Sequence, residues 1–308
     1  MYFVEIEKVT KTFGKVVAVD DLSLNVNQGT IYGFIGPNGS GKTTTLRMMM
    51  NIFYPDRGVI RVLGSQLSGS ATDRIGYMPE ERGLYKKMKV RDLLRFYGAL
   101  KNGQNIKQEV DRWLEKLSLT EWANKKIEAL SKGMSQKVQF IATVVAKPEL
   151  IILDEPFSGL DPVNSDILKS AILEMRDAGS TIVFSTHDMS MAEKMCDFIF
   201  MIYKGKKVLD GTLNDIQDTY GSDVIRIRTG NGSNGIQDIP GVEKVNDFGQ
   251  MQELRIKAGI DPQSVLKALM QKTPLLSFEI AKPSLHDIFV RIAAPDNNVN
   301  NLGKDQNE

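Results

Sequence analysis

A glycine-rich loop at residues 36–43 constrains the fold more than any other feature of this sequence. It fits the pattern G-x-x-x-x-G-K-[ST] and reads Gly36-Pro37-Asn38-Gly39-Ser40-Gly41-Lys42-Thr43. The apolar run at 31–35 is typical of a buried strand, and residues 43–50 are typical of a helix. In that setting, backbone N–H groups and the helix N-terminus surround a phosphate. A chance match in a glycine-rich turn is the alternative, and the strand–loop–helix context argues against it.

The loop predicts a nucleoside triphosphate site and assigns roles within it. Lys42 is expected to reach the β- and γ-phosphates, and the Thr43 hydroxyl is expected to ligate Mg²⁺. Thr44 follows directly, so the predicted nucleotide-binding residues of this segment span 36–44.

An acidic pair, Asp154 and Glu155, ends the apolar run at 150–153. Beside a phosphate loop, Asp154 can hold Mg²⁺ through water. Glu155 then faces the space beyond the γ-phosphate, where it can polarise an attacking water as a general base. A solvated strand end is the common interpretation of such a pair in isolation. The complete phosphate loop favours the catalytic one.

Two further residues are candidates by position. His187 follows the strand pattern at 181–184, and strand ends on such a sheet point at the nucleotide crevice, where a donor could hold the γ-phosphate or the attacking water. A satisfied structural histidine is the alternative. Phe13 could stack on a purine face, although most aromatic residues near a strand end belong to a core.

Strand and helix patterns alternate over the first part of the chain, which indicates a mostly parallel sheet between helices. Within a predicted first domain at 1–218, the stretch of about 88–148 is helical and long enough to form an inserted helical subdomain. A small α+β domain is predicted at 219–293 from short alternating strands and short helices. The Asn- and Asp-rich tail, 294–308, is expected to be disordered.

A second anion site is predicted where a helix begins at Ser131. Serine is a good N-cap, and the helix after it presents free N–H groups and its dipole. The segment is distant in the sequence from the phosphate loop, so both sites can hold one phosphate only if a second subunit supplies one of them. A head-to-tail pair of chains does this at two nucleotides. Taken alone, a serine-capped helix is ordinary.

These motifs stand in the order and rough spacing of ATP-binding-cassette (ABC) proteins, which the chain resembles over about residues 1–215. The motifs are the phosphate loop, Leu130–Met134, Leu150–Glu155, the turn Ser158-Gly159-Leu160-Asp161, and His187. The segment 76–85 and the sequence Leu-Ser-Lys-Gly-Met are similar to the NatA-type branch, the ATPase subunits of bacterial sodium or drug exporters. That branch tends to carry a small extra C-terminal domain.

The resemblance implies an α/β fold with a phosphate-loop NTPase core, an antiparallel β subdomain, an inserted helical subdomain and a small α+β C-terminal domain. It implies hydrolysis of ATP with Mg²⁺. The signature residues Ser131, Lys132, Gly133 and Met134 would act on the other subunit's ATP, and Asp161 would belong to the D-loop. A homodimer in the ATP-bound state would drive a separate membrane permease from the cytoplasmic face of the cell membrane.

The sequence departs from the general cassette pattern in two places. The usual signature is Leu-Ser-Gly-Gly-Gln, and here Lys132 and Met134 replace its first glycine and its glutamine, while Ser131 and Gly133 remain. Glu80 stands where a glutamine is expected before the helical insertion, and it is predicted to be a third Mg²⁺ ligand with Thr43 and Asp154. A solvated loop acid is the alternative for Glu80.

Composition narrows the partners. Lys and Arg number 39 against 38 Asp and Glu, so no global field attracts nucleic acid. No apolar run approaches the length of a membrane span, and the single cysteine, Cys196, is expected to be a small buried residue in a reducing compartment.

The leading hypothesis is the ATPase subunit of a bacterial exporter of Na⁺, drugs or other small molecules. The transported substrate is not encoded, because the transport path would lie in the permease. One alternative is a soluble cassette ATPase that acts on a macromolecular partner; the lack of a long heptad coiled coil, a second cassette or a basic arm counts against it. The other is a nucleotide-binding regulator without turnover, and the presence of Glu155 and His187 counts against that.

Overall fold

The computed structural model describes residues 1–65, 73–81, 83–101, 106–221, 224–230, 236–257 and 259–293. The tail predicted to be disordered, 294–308, lies outside the described residues. The chain divides into two compact units, one over Met1–Thr212 and one that begins at Leu213. The boundary predicted between 218 and 219 falls within a helix, Leu213–Tyr220, and the division into 1–218 and 219–293 stays a prediction.

The first unit contains both strands and helices. In chain order they are β1 (Tyr2–Phe13), β2 (Val16–Asn27), β3 (Ile31–Ile35), α1 (Lys42–Met49), β4 (Arg57–Val62), β5 (Ile75–Met78), α2 (Val90–Leu100), α3 (Ile106–Lys116), α4 (Lys132–Val144), β6 (Leu150–Asp154), α5 (Pro162–Asp177), β7 (Thr181–Thr186), α6 (Met189–Met195), β8 (Phe198–Tyr203) and β9 (Lys206–Gly211).

A six-stranded sheet with the order β5-β6-β7-β3-β8-β9 positions the site. The strands from β5 to β8 are parallel, and β9 pairs antiparallel with β8. Every residue of β3, β6 and β7 is buried, as expected for apolar strands covered on both faces. Parallel strands end at one edge, so this edge receives the phosphate loop after β3, Glu155 after β6 and His187 after β7.

One face of this sheet packs against a second, antiparallel sheet with the order β2-β1-β4. The shared core includes Val4, Leu22, Phe34, Leu46 and Phe200, so α1 is packed into it as well. The burial of one face explains why apolar and polar residues alternate over parts of β1 and β2. Register shifts interrupt the pairing of β1 with β2, and both strands continue for 12 residues through them.

Helices cover the other face of the central sheet. The helices α2, α3 and α4 lie within the predicted helical subdomain, and Leu94, Trp113 and Phe140 contribute their buried side chains to one core. That core continues to Ile151 and Phe184 on the central strands. The α4 helix therefore packs in the same core as the strands that end at the acidic pair and at His187.

The second unit is an α+β structure. Its elements are α7 (Leu213–Tyr220), β10 (Val224–Thr229), β11 (Val242–Asp247), β12 (Gln252–Ile256), α8 (Pro262–Lys272), β13 (Leu275–Ala281) and α9 (Leu285–Ala293). The strands form an antiparallel sheet with the order β11-β12-β10-β13. Its core joins Ile225 and Leu254 of the sheet to Val265 and Leu269 of α8.

The predicted fold class is confirmed: the structure is a mixed α/β protein with a phosphate-loop core. The elements β5, β9, β11 and α7 were not predicted from the sequence. The strands β9 and β11 are partly exposed at sheet edges, β5 is mostly buried but only four residues long, and α7 buries only Ile216. Within the described part of the chain, no helix combines the length and apolar character that crossing a bilayer requires.

Candidate active site

The phosphate loop approaches its neighbours too closely for side chains at two of its glycines. A Cβ added to Gly36, whose φ is 150°, would lie 2.2 Å from the carbonyl oxygen of Ile202 on β8. A Cβ added to Gly41, whose φ is 110°, would lie 2.5 Å from the carbonyl oxygen of Ala18 on β2. Contacts this short exclude a Cβ atom, and residues with a side chain rarely adopt these φ angles. The path of the loop between β8 and β2 therefore requires both glycines.

A turn between β8 and β9 supports the loop from behind. The Gly205 N–H donates to the Ser40 carbonyl oxygen at 2.9 Å, and the Asp20 N–H donates to the Gly205 carbonyl oxygen at 2.9 Å. These bonds connect the phosphate loop to β2 through one glycine. No motif in the sequence indicated this support.

Lys42 lies within the loop rather than in solvent. It is 5% exposed, and its Nζ donates to the carbonyl oxygens of Gly36 at 2.7 Å and Pro37 at 3.2 Å. Burial lowers the pKa of Lys42, and the nearby charges of Glu155 and Asp154 oppose that shift. The loop carbonyls thus hold the ammonium group in place, ready to meet an anion.

Asp154 is fully buried at the end of β6. Its Oδ1 accepts from the Thr43 hydroxyl at 3.2 Å and from the Ser185 hydroxyl at 2.5 Å. Its Oδ2 is buried and has no hydrogen-bond partner among the described residues. A buried carboxylate oxygen without a partner, next to a threonine hydroxyl, is the kind of hard oxygen set that Mg²⁺ prefers, with substrate phosphates completing it.

Glu155 is 7% exposed and has a φ of 50°, a left-handed conformation that costs roughly 1–2 kcal/mol for a residue with a side chain. Its N–H donates to the Ser185 hydroxyl at 3.0 Å. Its Oε2 lies 3.0 Å from Nδ1 of His187, so a proton on that ring nitrogen would be donated to the carboxylate. Its Oε1 lies 3.7 Å from Nζ of Lys42 and accepts no hydrogen bond from the described residues.

A cavity of about 370 Å³ borders Lys42 and Glu155, while Asp154 and His187 are not among the described residues that line it. Its walls include the loop residues 38–44, Glu80, Glu155 and the aliphatic segment Val16, Val17 and Ala18 of β2. Val16 and Val17 are exposed, so β2 offers an apolar surface beside the phosphate loop. Polar groups for phosphates and an apolar wall therefore occur in one cavity.

The structure does not bring Phe13 to this cavity. Its ring packs edge-on against Phe53, with 5.3 Å between the centroids, and the Lys11 ammonium lies 5.5 Å from the ring centroid. Phe13 is not among the described residues that line the cavity. Stacking of Phe13 on a purine stays a prediction.

The signature segment lies at the start of α4. The Ser131 hydroxyl oxygen accepts from the Met134 N–H at 3.2 Å, which makes Ser131 the N-cap. A Cβ added to Gly159 would lie 2.7 Å from Cε of Lys132, and one added to Gly133 would lie 3.4 Å from the Leu160 side chain. The signature and the turn at 158–161 therefore pack on each other.

Asp161 ends that turn and caps the next helix, α5. Its Oδ1 accepts from the Asn164 N–H at 2.9 Å, and this bond holds the pKa of the carboxyl group below its usual value. None of Ser131, Lys132, Gly133, Met134 or Asp161 is among the described residues that line the cavity.

Comparison with known proteins identifies the architecture. Residues 19–158 match the family described as ABC transporter, and residues 211–293 match the C-terminal domain described as that of ATP-binding protein DrrA1-3-like. The chain is 41% identical over 287 residues to the uncharacterized ABC transporter ATP-binding protein YhaQ of Bacillus subtilis (strain 168), covering 92% of this chain and 96% of that protein. The chain belongs to the ATP-binding proteins of ABC transporters. This family hydrolyses ATP and works with separate membrane permease components.

The names of two other relatives of this ABC protein describe a function. It is 31% identical over 302 residues to the linearmycin resistance ATP-binding protein LnrL of Bacillus subtilis (strain 168), covering 93% of this chain and 96% of the relative. It is 29% identical over 306 residues to the Nod factor export ATP-binding protein I of Ralstonia nicotianae (strain ATCC BAA-1114 / GMI1000), covering 93% and 92%. A solved ATP-binding subunit of an ABC transporter superimposes with a TM-score of 0.68 at 28% identity, covering 71% of this chain and 93% of that one.

Several residues that shape the site of this ABC protein were missed in the sequence. Ser185 joins Asp154 to the Glu155 backbone, and the aliphatic residues of β2 line the cavity. Two buried glutamines of α4, Gln136 and Gln139, reach carbonyl groups of neighbouring loops. The position of Ser185, two residues before His187 at the end of a predicted strand, could have indicated its role. The glutamines follow the signature as ordinary helix residues, and nothing in the sequence indicated their role.

Proposed function

We propose that this protein is the ATP-hydrolysing subunit of a bacterial exporter and drives a separate permease through ATP-dependent head-to-tail dimerisation. One observation carries the proposal. The chain contains both a phosphate-loop cavity and a signature segment, yet none of the residues at 131–134 is among the described residues that line that cavity. A second copy would supply its own signature segment to the phosphates held by the first. A two-fold pair does this at both sites.

In the proposed reaction, one set of groups binds the phosphates and another group accepts the proton. The N–H groups of the loop and the Lys42 ammonium bind the β- and γ-phosphates of ATP. Asp154 and Thr43 would hold Mg²⁺, with Glu80 as a further ligand from the cavity wall. When bound, the metal neutralises charge on the phosphate oxygens.

Glu155 is the proposed general base. Its Oε1 has no hydrogen-bond partner among the described residues and therefore has a lone pair available for the proton of an attacking water. Its Oε2 contacts Nδ1 of His187, which orients the carboxylate and leaves Oε1 to accept the proton of the water. His187 itself has a side chain that is 58% exposed, and its other ring nitrogen can reach out to the γ-phosphate of a sandwiched ATP.

Export is the transport direction that the relatives support. The names of these relatives describe resistance to linearmycin and export of Nod factors. Export of a drug or another small molecule, or of Na⁺, is accordingly the proposed role. The transported molecule would be chosen by the permease.

An aromatic patch formed by two residues of α2 and one that precedes the helical subdomain is the proposed contact with the permease. Tyr85, Phe96 and Tyr97 form it, with centroids 5.8 to 6.5 Å apart, and Tyr85 and Phe96 are exposed. Exposed aromatic residues that contact one another are typical of interface anchors. The patch follows the loop of Glu80 in the sequence. Docking there would hold the protein peripherally at the cytoplasmic face of the cell membrane.

Glu155→Gln tests the proposal. The variant should bind ATP, because the amide keeps the shape of the side chain, but turnover should fall by roughly 10²-fold or more because the general base is lost. The stalled protein should accumulate as an ATP-bound dimer, which light scattering detects. Glu149→Gln is the matched control, since Glu149 pairs with Arg74 on the surface and should leave both measurements unchanged. A monomer at saturating ATP in the stalled variant would refute the head-to-tail model.

A further inference from the structure

Gln139 on α4 is a buried amide that binds the loop of Glu80. It is 5% exposed. Its Nε2 donates to the Pro79 carbonyl oxygen at 2.7 Å and lies 3.4 Å from the Glu81 carbonyl oxygen, so its hydrogen bonds reach the residues on both sides of Glu80. Glu80 is among the residues that line the cavity beside the phosphate loop. One helix side chain therefore restrains the backbone that presents Glu80 to the nucleotide.

The two carbonyl groups fix which end of the amide faces the loop. Carbonyl oxygens accept hydrogen bonds, so the NH₂ group of Gln139 must face them, and the reverse orientation would set three acceptors against one another. This orientation leaves the oxygen end of the Gln139 amide without a donor. Oε1 of Gln139 is buried and has no hydrogen-bond partner among the described residues. Leaving a buried acceptor unpaired is unfavourable, so packing stability alone gives no reason for an amide at this position.

A second glutamine on the same helix, Gln136, donates a hydrogen bond to the loop that follows Glu155. Gln136 lies three residues before Gln139, which places both side chains on one side of α4. It is 2% exposed, and its Nε2 donates to the Pro156 carbonyl oxygen at 3.0 Å. Pro156 directly follows Glu155. The helix that begins at the signature is thus hydrogen-bonded to both loops that carry acids of the site.

We propose that Gln139 is a positioning residue that sets the Glu80 carboxylate at the nucleotide and links its position to the signature helix. This inference rests on the proposed function. Residues 79–81 follow β5, and Pro79 has no N–H with which to extend the strand ladder, so a side-chain donor is well placed to order this turn. When α4 moves as the signature meets ATP on a partner chain, the hydrogen bonds of Gln139 carry the Glu80 loop with it. Gln136 holds the Glu155 loop in the same way. Loss of the Gln139 amide should therefore affect Mg²⁺ affinity, and loss of the Gln136 amide should affect proton transfer.

The first test compares Gln139→Met with Gln136→Met in the full chain. Methionine has a similar length and volume but no donor. Gln139→Met should raise about three- to tenfold, the size of one lost hydrogen bond, both the Mg²⁺ concentration for half-maximal ATPase activity and that for half-maximal binding of a non-hydrolysable fluorescent ATP analogue. The kcat at saturating Mg²⁺ should change little. Gln136→Met should lower kcat and leave the Mg²⁺ requirement unchanged. Equal Mg²⁺ curves for the parent and Gln139→Met would overturn the proposal.

The second test is a double-mutant cycle, which a merely structural role would not pass. If Gln139 acts through Glu80, then Gln139→Met combined with Glu80→Gln should need no more Mg²⁺ than the stronger of the two single variants. Additive effects would mean that Gln139 supports the fold without positioning Glu80. Thermal unfolding of each variant shows whether it is folded. Gln139→Asn, which retains an amide on a shorter stem, repeats the cycle if the methionine variant does not fold, with the same two outcomes.

The tests also distinguish this inference from the proposed function. Unchanged turnover in Glu155→Gln would remove the proposed general base and with it the basis of the inference. Stalled turnover in Glu155→Gln together with an unchanged Mg²⁺ requirement in Gln139→Met would remove only the role assigned to Gln139.

Discussion

The phosphate loop and the signature segment are both predicted anion sites, but of the two only the phosphate loop lines the cavity among the described residues. At the phosphate loop, Lys42 and Asp154 are buried, and the cavity is lined by Ser40 and Glu155, each of which has a buried polar atom without a hydrogen-bond partner among the described residues. At the signature, Ser131 and Lys132 are exposed, and the serine hydroxyl already caps its own helix. The difference is what the proposed head-to-tail dimer requires: the phosphate loop would bind ATP in a single chain, and the signature segment would contribute only to the ATP of a second chain.

Replacement of Lys42 should give the largest effect on the first half-site. Lys42→Met removes a charge-assisted contact to the phosphates, worth about 1.5–3 kcal/mol, so the affinity of the monomeric chain for ATP should fall roughly 10- to 100-fold. Fluorescent nucleotide titration at protein concentrations that keep the chain monomeric measures this. Lys169→Met on the surface of α5 is the control and should bind ATP like the parent. Normal ATP affinity in Lys42→Met would show that the loop is not the nucleotide site.

Ser131→Asp should leave ATP binding by the monomer intact and weaken dimer formation. Aspartate caps a helix as well as serine, so stability should be retained, and the monomer should bind ATP normally. The added carboxylate would repel the partner's γ-phosphate, so ATP-driven dimer formation and turnover should fall about tenfold or more. Light scattering and ATPase assays measure the two effects, and Ser131→Thr should preserve both. Weakened ATP binding by the monomer would contradict the separation of the two half-sites.

Glu80 offers a smaller and sharper probe of the first half-site. A carboxylate beside the metal should strengthen Mg²⁺ binding, so Glu80→Gln should raise the half-saturating Mg²⁺ concentration in the ATPase assay about three- to tenfold, the effect of one charged ligand. Glu81→Gln alters the neighbouring side chain but keeps the carbonyl that Gln139 approaches, so it should behave like the parent. Identical titrations for both variants and the parent would exclude Glu80 from the metal site.

Removal of the second unit should change ATP chemistry least. The described residues that line the cavity all precede residue 206, and the first unit ends at Thr212. A chain truncated after Thr212 should therefore hydrolyse ATP at a rate close to that of the full chain, with any change confined to dimer stability or regulation. Steady-state ATPase assays of the folded truncation measure this. Lost activity would mean that the second unit helps to form the site.

The sequence was informative where a function dictates residue types and silent where the support comes from packing. The phosphate loop, Asp154, Glu155 and His187 occur in motifs, and the apolar strands before them were visible as unbroken runs. The turn at Gly205, the Ser185 bridge and the α4 glutamines depend on which segments meet in space. Edge strands such as β9 and β11 escaped because a half-exposed strand needs little apolar sequence.

The left-handed backbone at Glu155 has a consequence for how this protein can change over generations. Glycine would adopt that conformation without strain, so the residue that the local backbone tolerates best is one that cannot abstract a proton. If Glu155 is the general base, as we propose, replacement by glycine would relieve the backbone strain but would leave a nucleotide-binding protein without turnover. An acid is retained at this position only as long as selection for hydrolysis outweighs the conformational preference of the site.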